Sequence, residues 1–184
     1  MKEIIKLSLI LGFVCVLASA GLSLVYRHTK PIIDQNQKRQ LAESLKEVLP
    51  NVSESPKPIN EGVLFKKLKT RLKLEKLYSA KRPDGTVVYA ASVSVGGYQG
   101  PIKLLVGFDP EESVVLAVKV LEHSETPGLG ARIAEHKKDM KTFIDKLKGK
   151  LKSRDEYDTI TGATISSNAV IGGVVSVLEC GLKK

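Results

Sequence analysis

The amino-acid sequence points to an α+β domain, an antiparallel sheet covered by helices, behind a single N-terminal transmembrane helix. Three patterns carry this. An uncharged apolar run occupies the N-terminus, closely spaced strand-like runs fill the centre, and helical periodicity returns towards the C-terminus. The 184 residues include 42% hydrophobic side chains, with 15 Gly and 8 Pro, a composition that suits one globular domain rather than low-complexity disorder. Two cysteines exclude a disulfide scaffold.

From Leu7 to Tyr26 the chain reads LSLILGFVCVLASAGLSLVY, with no charged residue. At about 1.5 Å rise per residue a helix of this length crosses a hydrocarbon core of about 30 Å. Lys2 and Lys6 followed by Ala18-Ser19-Ala20 resemble a cleavable signal peptide. The apolar sequence nevertheless continues through Leu22, Leu24 and Val25 to Tyr26 and Arg27, which favours a retained anchor with an interfacial aromatic. In either form the remaining chain lies on the extracytoplasmic side of the inner (plasma) membrane if the short basic N-terminus stays inside. Residues 1–30 are therefore expected to be the anchor. Cys15 falls at bilayer depth and Cys180 near the far end of the chain, so no disulfide between them is expected.

Residues 31–62 read as a stalk helix and a linker. Ile33, Gln37, Leu41, Leu45 and Val48 recur at helical spacing, Pro50 stops them, and PNVSESPKPINEG at 50–62 has the composition of a loop. The region 63–184 is the expected folded domain. Lys66, Lys67, Lys69, Arg71, Lys73 and Lys76 alternate with Leu68, Leu72, Leu74 and Leu77, which reads as one solvated face, the alternative being a contact surface for acidic lipid or a partner. After the turn signal Asp84-Gly85, runs at Val87–Val95, Ile102–Phe108 and Val114–Leu121 predict three antiparallel strands, because the connections between them are short. Ile133, Met140, Phe143, Ile144 and Leu147 predict a second amphipathic helix ending near Gly149. A third is expected to begin near Ser166, capped by Ser166, Ser167 or Asn168, with Val170, Ile171, Val174, Val175 and Leu178 on its packed face.

The net charge of +9 is spread along the chain, about a third of it in residues 1–30, and mainly serves solubility. Aromatic residues make up 5% and no reader motif is present, so nucleic acid is not an expected partner. His28, His123 and His136 lack the spacing of a zinc site. Gly128 to Ile133 begins like a dinucleotide loop but lacks the third glycine and a surrounding βαβ unit.

Two glycine-centred segments precede predicted helices, where unpaired backbone N–H groups can receive an anion. One is Glu125-Thr126-Pro127-Gly128-Leu129-Gly130. The other, Asp158-Thr159-Ile160-Thr161-Gly162-Ala163-Thr164-Ile165-Ser166, is rich in hydroxyls and admits a phosphate. Turn chemistry and helix capping alone would also account for its composition.

Asp158 to Thr164, as Asp-x-x-Thr-Gly-Ala-Thr, resembles the flavin-attachment motif of the FMN-binding domain found in the G subunit of the Rnf electron-transport complex. The C subunit of the sodium-pumping NADH:quinone reductase is similar but usually longer. The resemblance extends from the single anchor through Gly97-Tyr98-Gln99-Gly100-Pro101-Ile102, Val106-Gly107-Phe108-Asp109 and His123-Ser124-Glu125-Thr126-Pro127-Gly128-Leu129-Gly130. It implies FMN joined by a phosphoester to Thr164, with Asp158, Thr161, Gly162, Ala163 and Ser166 forming the attachment segment. Glu125, Thr126, Gly128, Leu129 and Gly130 would line the ring, Thr126 and Gly128 at its edge and Leu129 on a face. Tyr98 is either a stacking residue or an ordinary tyrosine, and Asp158 either a recognition element or a turn residue.

A tether has a physical rationale outside the cytoplasm. A dissociable ligand stabilises by RT ln(1 + [L]/Kd), so a site for scarce FMN would empty. A helix N-terminus contributes only about 0.3–2 kcal/mol towards a nearby anion. No histidine adjoins Thr164 to activate it, and the resemblance implies an exported flavin transferase that uses FAD as donor. Further implied partners are the other membrane subunits of the complex and membrane lipid. The expected role is electron relay linking reduced ferredoxin and NAD to ion translocation, with no substrate turnover by the chain alone. The alternatives are a C-like subunit of the quinone reductase and a non-redox exported binding module.

Overall fold

A computed structural model of the chain describes residues 1–135, 142–150 and 152–182. The chain divides into two units, Met1–Ala42 and Glu43–Lys184.

Helix α1 runs without interruption from Lys2 to Val48. Its N-terminal stretch is long and apolar enough to cross a membrane. Two hydroxyls of α1 turn back onto the helix, Ser19 Oγ donating to the Cys15 carbonyl at 2.7 Å and Thr29 Oγ1, just past the uncharged run, to the Val25 carbonyl at 2.8 Å. Polar hydrogens that would be unsatisfied in hydrocarbon are thereby paired within their own segment. The separate stalk expected after residue 30 is continuous with the anchor, and the helix passes through Pro31. Proline removes one N–H and crowds the preceding turn, at a cost of about 3 kcal/mol, but helical periodicity on both sides carries the chain across it.

The second unit is built on a six-stranded antiparallel meander ordered β1-β2-β3-β4-β5-β6. Its strands are β1 (Lys57–Ile59), β2 (Lys73–Lys81), β3 (Val87–Gly96), β4 (Pro101–Asp109), β5 (Val114–Glu122) and β6 (Gly149–Lys150). The three strands expected from the sequence are β3 to β5, each within one or two residues of its predicted bounds. The Asp84-Gly85 turn joins β2 to β3, with Gly85 at φ 87° and the Thr86 N–H donating to Asp84 Oδ1. Strand β1 lies within the proline-rich stretch expected to be loop. It is three residues long at a sheet edge, where Pro58 needs no ladder donor on its outer side. The alternating Lys/Leu run resolves into two elements, α2 (Val63–Arg71) and the start of β2.

Period-two alternation assigns the sheet's two faces. Ala91, Val93, Ile102, Leu104, Val106, Phe108 and Val118 belong to a core shared with Val170, Ile171, Val174 and Leu178 of helix α3 (Thr164–Leu182) and with Leu68 of α2. A Cβ built on Gly173 would lie 2.7 Å from Val95 Cγ1, so glycine sets how closely α3 approaches the sheet. On the opposite face Val88, Ala90, Leu105 and Ala117 are buried, as are Leu45, Val48 and Leu49 at the end of α1 and beyond it. Helix α3 is also apolar enough to cross a membrane, but more than half of its apolar window is buried in this fold, as befits a core helix.

Two further expectations change. Among the described residues, the region of the amphipathic helix anticipated over Ile133–Leu147 holds two 3-10 turns, Gly130–Ala134 and Ile144–Leu147, which bury Ile133 and, in the second, Ile144 and Leu147. Met140 and His136 lie outside the described residues. Both turns deliver apolar side chains to the core at spacings that also suit a helix, which is why periodicity did not separate the two. Helix α3 starts at Thr164, so Ser166 and Ser167 lie inside its first turn rather than at a cap. Their hydroxyls are used for contacts between segments instead.

Candidate functional site

The two glycine-centred segments fold into the same local structure. In the first, the Leu129 N–H donates to the Thr126 carbonyl at 3.2 Å across Pro127-Gly128, with Gly128 at φ 77°. In the second, the Ala163 N–H donates to the Ile160 carbonyl at 2.9 Å across Thr161-Gly162, with Gly162 at φ 81°. Both are four-residue turns whose third position needs positive φ, which glycine meets without a steric penalty. They lie against one another: a Cβ on Gly162 would touch Leu129 Cδ2 at 3.4 Å.

The second turn leads straight into α3. The Ser167 N–H makes the first intrahelical bond, to the Ala163 carbonyl at 2.9 Å. By helix geometry the N–H groups of Thr164, Ile165 and Ser166 have no partner within the helix. Thr164 is exposed as the first helical residue, and Thr161 and Gly162 before it are exposed too, whereas Ala163 is buried. Ser167 Oγ accepts from the Ile160 N–H at 3.1 Å and fastens the turn to the helix. Asp158 is at the segment's outer end, its side chain 84% exposed, with Oδ2 3.4 Å from Lys146 Nζ.

Glu125 and Ser166 face inward. The Glu125 carboxylate, in a residue only 5% exposed, accepts three hydrogen bonds. Oε1 takes the Tyr98 N–H at 2.8 Å and the Gln99 N–H at 3.2 Å, and Oε2 takes Ser166 Oγ–H at 2.6 Å. One side chain therefore joins the β3–β4 loop, the Glu125–Gly130 turn and the first turn of α3. Two glycines form the walls of its niche. A Cβ on Gly130 would lie 2.5 Å from Oε2, and one on Gly97 would collide with Oε1. Of the glycines in these segments, Gly97 and Gly130 are the two that border this carboxylate, Gly97 being closed in by Ile102 and the Gly100 carbonyl as well.

Outside the niche the side chains are apolar and open to solvent. Tyr98 is 68% exposed, Leu129 51% and Ile165 57%. Among the described residues of the folded unit, these three and Val63 are the large hydrophobic side chains left exposed, and all but Val63 lie on the segments that Glu125 joins. Ile165 was missed in the sequence, although it stands out of phase with the Val170, Ile171, Val174 and Leu178 stripe. Of the predicted site residues, the structure brings Glu125 and Gly130 against Ser166 and Leu129 against Gly162, while Thr126 and Gly128 on one turn and Thr161, Ala163 and Thr164 on the other flank these contacts in sequence. Asp158 stands apart at the rim.

These features fit a phosphorylated aromatic cofactor. A hydroxyl stands where three backbone N–H groups lack helical acceptors, the adjoining turn is open at Gly128, and exposed apolar side chains flank it. Among the described residues no group of His, Cys, Asp and Glu is arranged to hold a metal ion.

Comparison with known proteins gives the same answer from separate information. The FMN-binding domain family matches residues 97–179, and the RnfG N-terminal region matches residues 1–48. The chain is 32% identical to the G subunit of the ion-translocating oxidoreductase complex of Stutzerimonas stutzeri, over 94% of this chain and 78% of that one. The same identity holds for the G subunit of the complex of Methanosarcina acetivorans, over 97% and 94%. The crystal structure of the C subunit of Na(+)-translocating NADH-quinone reductase from Parabacteroides distasonis shares the fold, with a TM-score of 0.52 and 18% identity over 82% of this chain and 96% of that one. The segments reaching the Glu125 carboxylate all fall within the FMN-binding match, and on this footing the chain belongs to the family of G subunits of ion-translocating oxidoreductase complexes.

Proposed function

We propose that this protein is a membrane-anchored flavoprotein subunit that relays electrons within an Rnf-type ion-translocating complex, its FMN joined by a phosphoester to Thr164. The exposed Thr164 hydroxyl at the start of α3, beside N–H groups without helical acceptors, carries the reading. Bound FMN supplies electron transfer in single steps. The chain's own residues hold and shield it.

The N–H groups of Thr164, Ile165 and Ser166 would face the phosphodiester and orient its charge. Leu129 would cover part of the ring, with Tyr98 and Ile165 excluding water at its margins. The turn at Thr126–Leu129 would offer backbone groups to the ring edge, the hydrogen-bonding part of a flavin pocket. No side chain in the set need act as acid or base, because placement and solvent control are the protein's share of flavin chemistry. Asp158, exposed and loosely paired with Lys146, would be available to the FAD-dependent transferase that installs the group. The other membrane subunits are the proposed electron donors and acceptors, and the folded unit is proposed to lie on the extracytoplasmic side.

The test is Thr164→Ala. Wild type co-expressed with the transferase should run on a denaturing gel as a fluorescent band and show the FMN increment by intact mass. The variant should fold and lack both. An FMN adduct on Thr164→Ala would place the linkage elsewhere, and a colourless wild type under these conditions would overturn the flavoprotein reading.

A further inference from the structure

The Glu125 niche contains a buried carboxylate with no cation beside it among the described residues. Among the described residues Glu125 takes part in no ion pair, and its charge is met by two backbone N–H groups and one hydroxyl. Burying a carboxylate is costly unless donors surround it, and charge-assisted hydrogen bonds are the strong kind. A residue serving only the domain's stability would be better replaced by an apolar side chain packed among the core residues below. What the carboxylate achieves that an apolar residue would not is a directional link from its own segment to two others, 26 to 41 residues away in sequence.

We infer that Glu125 is the positioning residue of the flavin site, a strut that registers the Tyr98-Gln99 loop and the first turn of α3 against its own Thr126–Gly130 turn. It touches no cofactor itself. With Oε2 holding Ser166, the first turn of α3, on which Thr164 stands two residues earlier, is fixed to the segment bearing Leu129, and Gly162 just before it lies against that leucine. With Oε1 holding two successive N–H groups, the loop bearing Tyr98 is fixed to the same point. At Gly97 and Gly130 any Cβ would run into the strut, at Gly97 into Ile102 and the Gly100 carbonyl as well. This role rests on the reading that FMN is carried at Thr164, but the loop coupling is a property of the unmodified chain and can be measured without flavin.

Hydrogen exchange on the full-length chain in detergent, expressed without the transferase, tests the coupling directly. Glu125→Ala should raise exchange in 97–100, 125–130 and 159–166 together, by about tenfold or more, while the amides of β3 and β4 stay protected. Ser166→Ala removes one strut only and should loosen 159–166 while 97–100 stays protected. Glu125→Gln keeps an acceptor for Tyr98 and Gln99 and offers Ser166 an amide donor, so it should restore most of the protection. With the transferase present, visible circular dichroism of the attached flavin should be altered in Glu125→Ala and largely regained in Glu125→Gln. Exchange confined to 125–130 in Glu125→Ala, or a flavin signal identical to wild type, would overturn the positioning role. Wild type that takes up no flavin would count against the Thr164 reading alone, and the exchange pattern would still decide this one.

Discussion

Asp145, in the 3-10 turn Ile144–Leu147, has its carboxylate filled on both sides. Oδ1 accepts from Lys148 Nζ at 2.6 Å, and Oδ2 accepts from the hydroxyl and the N–H of Thr142 at 2.7 and 3.2 Å. The Lys148 hydrogen bond, then that from the Thr142 hydroxyl, draws its pKa from 3.8 down to about 2. A carboxyl depressed on folding stabilises the native state above its unfolded pKa, and that contribution is lost as pH falls through the folded value. Its size is on the order of 1–2 kcal/mol, discounted because Lys148 is partly in solvent. Asp145→Asn should therefore lower the melting temperature at pH 7 by roughly 2–6 °C, and the gap from wild type should be nearly closed by about pH 2. A gap unchanged between the two pH values would show that the ion pair contributes nothing. The same scale shows where sequence reading stops. Thr126, Gly128 and Gly162 were legible because turn chemistry is local. The inward aim of Glu125 was not, since two of its three partners are backbone N–H groups of a distant loop, which any residue but proline supplies, and the third is a serine hydroxyl 41 residues away.

At the scale of elements, β4 shows how a strand carries instructions for both faces. Ile102, Leu104, Val106 and Phe108 pack towards α3, while Leu105 is buried on the other face and Gly107 there meets Val48 at the end of α1. A Cβ on Gly107 would lie 2.8 Å from the Val48 carbonyl carbon and closer still to its oxygen, both backbone atoms that no rotamer change can move. Gly107→Ala should thus cost about 1–3 kcal/mol through overpacking, seen as a drop of several degrees in the thermal midpoint. Gly96→Ala is its control, with nothing within 4 Å of the added carbon and no positive φ, and should change stability by less than about 0.5 kcal/mol. Equal effects from the two would mean that the α1 segment does not seat on this face. Strands β3 to β5 were legible because long apolar runs with polar turn residues between them have few other readings. The junction of α2 and β2 was not. In Leu68, Leu72, Leu74 and Leu77 the spacing slides from four to two and then to three, and only tertiary packing shows that Leu68 and Leu77 are the buried pair.

For the whole molecule, the relation between charge and anchor decides how the protein is retained. A net charge of +9 would by itself attract the chain to an anionic membrane surface, but such attraction is screened at about 3 Å in 1 M salt. The uncharged segment of α1 acts differently, because its apolar side chains lie exposed along the helix and gain from hydrocarbon regardless of ionic strength. Placing one arginine at the centre of such a segment costs about 2.5–3.5 kcal/mol in insertion. Wild-type protein in native membranes should accordingly resist a 1 M salt wash and come off only with detergent, whereas Val14→Arg should shift a measurable fraction into the wash. Intact-mass analysis of the detergent extract should return the whole 20.0 kDa chain plus one FMN. A mass starting after Ala20 would turn the segment into a removed export signal, and release of wild type by salt alone would make surface charge the tether. Either result would leave the Glu125 niche and the Thr164 hydroxyl as they are, since every residue of the site lies in the unit Glu43–Lys184.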